Sequence, residues 1–208
     1  MSDASEVLVA HGGIAHLSTL RSHGVRPEHL RKLLDARLLV RPRQGWYALP
    51  STAPELLQAV TVGGQVSCVS ALRLWEVWCI DDHRTHVRVP SNAARLSKPR
   101  TVVAHCAAHP GVDRSSAIVG IVEALAQAFT CLSRENIIVA LDSALNKGLI
   151  SPHQLTEIRG LVARRYHPYF RPVDGERESG LETKCVLRLH RLNIRCRVQV
   201  RIPGVWPG

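Results

Sequence analysis

Between Arg21 and Leu49 (RSHGVRPEHLRKLLDARLLVRPRQGWYAL) the apolar period changes from helical to alternating, and few small folds accommodate that change over so short a stretch. Gly24 can take the positive φ that ends one helix, and Pro27 suits a first helical turn, where its missing N–H costs nothing. A helix is therefore expected from Pro27. Leu30, Leu33 and Leu34 share one face of it, while Glu28, Arg31, Lys32 and Asp35 point elsewhere. After Ala36 the runs Leu38–Arg41 and Trp46–Leu49 favour strand, and Pro42-Arg43-Gln44-Gly45 between them suits a hairpin.

Two short helices are expected ahead of this stretch, Glu6–His11 and Ala15–His23, separated by Gly12-Gly13. Val7, Leu8, Ile14, Leu17 and Leu20 would pack beneath the leucines of the third helix. Residues 1–50 then read as a winged helix-turn-helix, the hairpin being the wing. A helix of this width enters the DNA major groove, and a basic ribbon follows the neighbouring phosphates. On that reading Arg26, His29, Arg31 and Lys32 face bases and phosphates, and Arg41 and Arg43 sit on the wing. The same unit also serves as a protein dock, and the pattern leaves both uses open.

Charge distribution favours a polyanionic partner. The formal net charge is +10, made of +3 in residues 1–50, zero in 51–158 and +7 in 159–208, so both ends are basic around a neutral middle. A 45% hydrophobic content over 208 residues supports a real core and argues against disorder. Cys68, Cys79, Cys106, Cys131, Cys185 and Cys196 form no C-x-x-C pair, and read as small buried thiols of a reducing cytoplasm. Without an apolar run of about 20 residues or a signal-like N-terminus, the expectation is a soluble cytoplasmic protein with no membrane partner.

Pro50–Pro54 reads as a linker into a second region, 54–165. Helices are expected at Pro54–Val60 and Ser70–Trp78 and strands at Thr85–Val89 and Thr101–Cys106, with Arg95, Lys98 and Arg100 in a basic loop. Trp75 and Trp78 would share a helix face as core or interface residues, and Arg88 would lie at the solvated surface. His105-Cys106-x-x-His109 has the look of half a metal site, but no second Cys/His cluster of suitable spacing accompanies it, so neither metal nor other cofactor is expected. Residues 115–165 read as helices: one stripe holds Ile118, Ile121, Val122, Leu125 and Phe129, and the next holds Ile137, Ile138, Leu141 and Leu145. A third helix starts at Ser151-Pro152-His153-Gln154, which has the form of a capping box. Tyr166–Gly175 is irregular. A last region, 176–208, offers an amphipathic helix with Leu181, Cys185, Leu189 and Leu192, then an alternating strand over 197–204. Its open edge invites pairing with another chain, a second copy included. The expected fold class is α+β, mostly helical: an N-terminal winged helix-turn-helix, a mixed α/β middle with a helical layer, and a short helix-strand remnant.

The run from Gly12-Gly13-Ile14-Ala15 through Gly24-Val25, Leu30 and Leu33 to Arg43-Gln44-Gly45-Trp46-Tyr47-Ala48-Leu49 resembles the winged helix of AbiE-type antitoxins, the regulators of type IV toxin–antitoxin pairs. The resemblance continues through Gln65–Trp75 and Thr85–Pro90. It implies an autorepressor that binds double-stranded DNA, with a cognate toxin as a further partner. Glu178-Ser179-Gly180-Leu181-Glu182-Thr183-Lys184 and the strand after it resemble the start of a very-short-patch-repair-like endonuclease domain of the PD-(D/E)XK fold. That family holds Mg²⁺ on carboxylates of later strands; here Glu182 alone matches an acidic position, and the sequence stops at Val205-Trp206-Pro207-Gly208 before those strands. The expectation is therefore a regulator and not an enzyme, with an inactive nuclease-like remnant or an adaptor as alternatives.

Overall fold

The computed structural model describes residues 3–80, 82–90, 99–106 and 115–200 of an α+β chain. It divides into two compact units, Met1–Ser70 with Asp82–Val119, and Ala71–Asp81 with Gly120–Gly208. These seams differ from the boundaries 1–50, 54–165 and 176–208 expected from composition.

The first unit opens with α1 (Ala4–Ala10), β1 (Ile14–His16), α2 (Leu17–Ser22), α3 (Pro27–Asp35), β2 (Val40–Arg43) and β3 (Trp46–Ala48). The strands form an antiparallel sheet in the order β1-β3-β2. The helix expected over Ala15–His23 loses its first residues to β1, because Ile14, Ala15 and His16 pair with Ala48, Tyr47 and Trp46. Gly24 closes α2 as expected: it takes φ +80, Val25 donates its N–H to the Leu20 carbonyl and Gly24 donates to Arg21. Leu20 and Val25 are buried together with Ala4, Val7, Leu8, Ala15, Leu30, Leu39 and Tyr47, and Leu33 and Leu34 pack against this core.

The first strand of the ribbon lies two residues further along than the sequence suggests, whereas the second starts at Trp46 as expected. α3 ends in the same manner as α2, with Leu38 donating to the Leu33 carbonyl and Arg37 to Leu34, so Leu38 is spent on capping. Pro42 has no N–H for a ladder, and the register shifts between Val40 and Arg43. Gln44-Gly45 makes the turn, with Gly45 at φ +81. Pro50–Pro54 is not a loose linker either: Thr52 is buried, and its hydroxyl donates to the Gly13 carbonyl at 2.7 Å.

After α4 (Pro54–Thr61) comes a second sheet, ordered β4 (Gln65–Val66), β5 (Thr85–Val89), β6 (Val102–Cys106). The β4–β5 pair is antiparallel and the β5–β6 pair parallel. Arg88, expected at the surface, is buried, while Arg95 and Lys98 lie outside the described residues. Between β4 and β5, α5 (Cys68–Leu74) stops before Trp75, closed by Glu76 at φ +55. Trp75 and Trp78 therefore share no helix face, and each keeps 37% of its surface exposed instead of entering a core.

In the second unit, α6 (Ile121–Ala128) packs on α7 (Arg134–Asn146) and α8 (Pro152–Leu161), and α7 packs on a 3-10 helix (Arg164–Phe170) and on α9 (Gly180–Arg191). The capping box at Ser151 and Gln154 forms as expected. Ile118 belongs to the first unit, where it bridges to Val66 instead of extending the α6 stripe, and in the second unit Phe129 packs against Tyr166, Tyr169 and Phe170. The α9 face is the reverse of expectation. Thr183, Val186 and Leu187 are buried, whereas Leu181 and Leu192 are 72% and 70% exposed. A polar knot decides this orientation: the Asp142 carboxylate accepts from Thr183 Oγ1 and Arg177 Nη1, each at 2.8 Å, and from the Asp174 N–H at 2.7 Å. With charge and acceptor buried together, pulling Thr183 out to solvent would leave Asp142 short of a donor.

Of the cysteines only Cys68 is buried; Cys106, Cys131 and Cys185 are exposed, contrary to the expectation of buried thiols. Residues 192–200 carry no strand, and the rest of the expected strand lies outside the described residues. Among the described residues no helix is long and apolar enough to cross a membrane.

Candidate nucleic-acid interface

Leu30 anchors α3 with no exposed surface, and helical geometry then forces the residues on the other side into solvent. Arg26, His29, Arg31 and Lys32 are all exposed. Arg26 is the residue before the helix, at φ −86 and ψ 144, and its side chain makes no capping bond. His29 Nε2 lies 4.0 Å from Asp3 Oδ1. With Lys32 and Glu28, these groups line a shallow concavity that also includes Gly24 and Val25. The face is not purely basic: Glu28 and Asp35 interleave with Arg26, Arg31 and Lys32. Glu28 precedes Lys32 and Arg31 precedes Asp35 by four residues, a spacing that lets each carboxylate orient a neighbouring cation.

The two ribbon cations behave differently. Arg41 is exposed, its guanidinium 5.8 Å from the Tyr47 ring centroid. Arg43 turns back onto the protein: Nη1 donates to the Thr61 carbonyl at 3.3 Å, where the C-terminal dipole of α4 favours a cation. Its guanidinium fills the space that a side chain at Gly63 would need. Arg43 thus ties the ribbon to α4 more than it extends the ribbon tip. The sequence reading overlooked Arg37, which is exposed at φ +57 between α3 and the ribbon. A cap position filled by arginine instead of glycine was the signal available for it.

A second group of chemically active side chains lies in the β4-β5-β6 sheet. His86 Nδ1 stands 3.0 Å from His105 Nε2, with the rings stacked at 25°, and His86 Nε2 meets both Asp82 carboxylate oxygens at 3.1 Å. Burial raises the Asp82 pKa, but hydrogen bonds from His86 and Arg84 outweigh it and hold the carboxyl down at about 2. Of the residues next to His105 in the His105-Cys106-x-x-His109 run, Cys106 does not take part, because it is exposed and neighbouring residues on a strand face opposite ways; His109 lies outside the described residues.

Glu182 occupies the first turn of α9. Its carboxylate accepts from the Glu178 N–H at 3.1 Å and from Gln199 Nε2 at 3.3 Å, as a helix-start carboxylate does. No model of a known protein family matches the chain, and no curated protein matches it.

Proposed function

We propose that residues 1–50 are a winged helix-turn-helix that binds double-stranded DNA, and that the chain is a transcriptional regulator of antitoxin type. One observation carries the reading: the order helix, strand, helix, helix, strand, strand, with α3 displaying Arg26, Arg31 and Lys32 to solvent and Arg41 exposed on the adjoining ribbon. In this arrangement α3 enters the major groove, Arg26 contacts a phosphate at its start, Arg31 and Lys32 contact phosphates further along it, and Arg41 reaches the backbone beside it. Assignment to the antitoxin class, with a toxin as partner, rests on the sequence resemblance alone. Glu182, engaged in holding the start of α9, supports a regulator over a nuclease.

The test is fluorescence anisotropy with labelled duplexes: the DNA upstream of the coding sequence and a scrambled duplex of equal length. The regulator reading predicts tighter binding to the upstream duplex, and a loss of both affinities in Arg31→Ala/Lys32→Ala. Equal binding of variant and wild type would refute it. An adaptor reading has one observation in its favour, the exposed Leu181 on α9 and Leu192 just after it. It predicts stoichiometric capture of a protein partner without any shift of DNA.

A further inference from the structure

We propose that Cys68, His86 and His105 form a binding site for a zinc-class divalent cation. Their ligand atoms all lie within 4.8 Å of one another. The backbone explains the convergence. In the parallel β5–β6 ladder His86 pairs with Val103 and Arg88 with His105, so His86 and His105 point to the same face of the sheet. The Ser67 N–H donates to the His86 carbonyl at 2.9 Å, which draws Cys68 alongside.

Three details favour a cation over a chance meeting of polar groups. First, Asp82 accepts from His86 Nε2, which leaves the Nδ1 lone pair aimed at His105; a carboxylate behind an imidazole is how metal-binding histidines are held and made more basic. Second, two nitrogens on a tetrahedral zinc stand about 3.3 Å apart, and the pair here already stands at 3.0 Å. Third, Cys68 takes φ +51 although it is fully buried, a conformation that only glycine adopts without strain, so the position retains a thiol where a glycine would fit the backbone better. Thiolate with imidazole selects zinc and similar borderline metals over Mg²⁺ or Ca²⁺.

The proton balance is simple. Without metal, His105 Nε2–H donates to His86 Nδ1. On binding, that proton moves to His105 Nδ1, the Cys68 thiol releases one proton to solvent, and Cys68 Sγ, His86 Nδ1 and His105 Nε2 become the ligands. A water or a further thiolate completes the tetrahedron. Asp82 is a positioning residue, since it acts through His86.

The test uses the full chain, stripped with a chelator and titrated with Co²⁺ and then Zn²⁺. The site predicts one cobalt per chain, the visible bands of tetrahedral Co²⁺, a thiolate-to-cobalt charge-transfer band, and loss of all of them on adding Zn²⁺. Cys68→Ser abolishes the charge-transfer band, and Asp82→Asn weakens binding by about 10- to 100-fold. His105→Asn weakens it at least as much, and because His105 is only half-buried this variant still decides the matter if Cys68→Ser misfolds. Cys106→Ser leaves the spectrum intact. An octahedral spectrum without the charge-transfer band overturns the site, and so does undiminished cobalt affinity in folded His105→Asn or a band abolished by Cys106→Ser.

Discussion

Arg37 and Asp142 are two side chains at which the chain accepts local cost. At φ +57, Arg37 holds the cap of α3 in a conformation that glycine reaches freely. Arg37→Gly is predicted to raise unfolding stability by about 0.5–1 kcal/mol in denaturant titrations while lowering DNA affinity, the pattern expected of strain retained for contact. Asp142 is buried against Arg177, and removing its carboxylate strands a buried cation; Asp142→Ala should cost about 3–5 kcal/mol, read as a lower denaturant midpoint. Burial raises the Asp142 pKa above its ordinary 3.8, and the bonds from Asp174, Thr183 and Arg177 offset only part of that. Between 3.8 and the raised value the native chain holds a proton that the unfolded chain has released, so the contribution of Asp142 to stability falls as pH rises through that window. The stability advantage of wild type over Asp142→Asn should therefore be largest at the acid end and shrink toward neutral pH.

At the scale of elements, the α3-ribbon unit separates cations left in solvent, such as Arg41, from Arg43, which holds the ribbon to α4. Arg41→Ala is predicted to weaken DNA binding with little change in stability. Arg43→Ala should do the reverse, losing the bond to the Thr61 carbonyl at a cost of about 0.5–1.5 kcal/mol in chemical unfolding. Elements with chemical punctuation were legible in the sequence: Pro27 begins α3, Gly24 ends α2, and Ser151 with Gln154 caps α8. Elements defined by pairing were not. β1 and β4 are too short to show alternation, and they exist because Tyr47 and Val87 offer partners. On α9 the leucine stripe gave the wrong face, because the spacing of Leu181, Cys185 and Leu189 carries no information about the Asp142 acceptor that claims Thr183.

Across the whole molecule, discontinuity is what hid most from the sequence. Each compact unit is assembled from two separated stretches, and Cys68, His86 and His105 meet only through strand pairing, so no spacing rule finds them. The cationic surface of α3 was legible because helical periodicity is local, whereas the turning of Arg43 toward α4 depends on a carbonyl of Thr61 far along the chain. Charge remains the property that the entire chain expresses, neutral in its middle and basic at both ends. DNA affinity measured against salt concentration connects that property to α3 most directly. Each phosphate contact contributes about −0.9 to the slope of log affinity against log salt, so Arg31→Ala/Lys32→Ala should flatten the wild-type slope by about two units. An unchanged slope in the folded double variant would contradict DNA binding through α3.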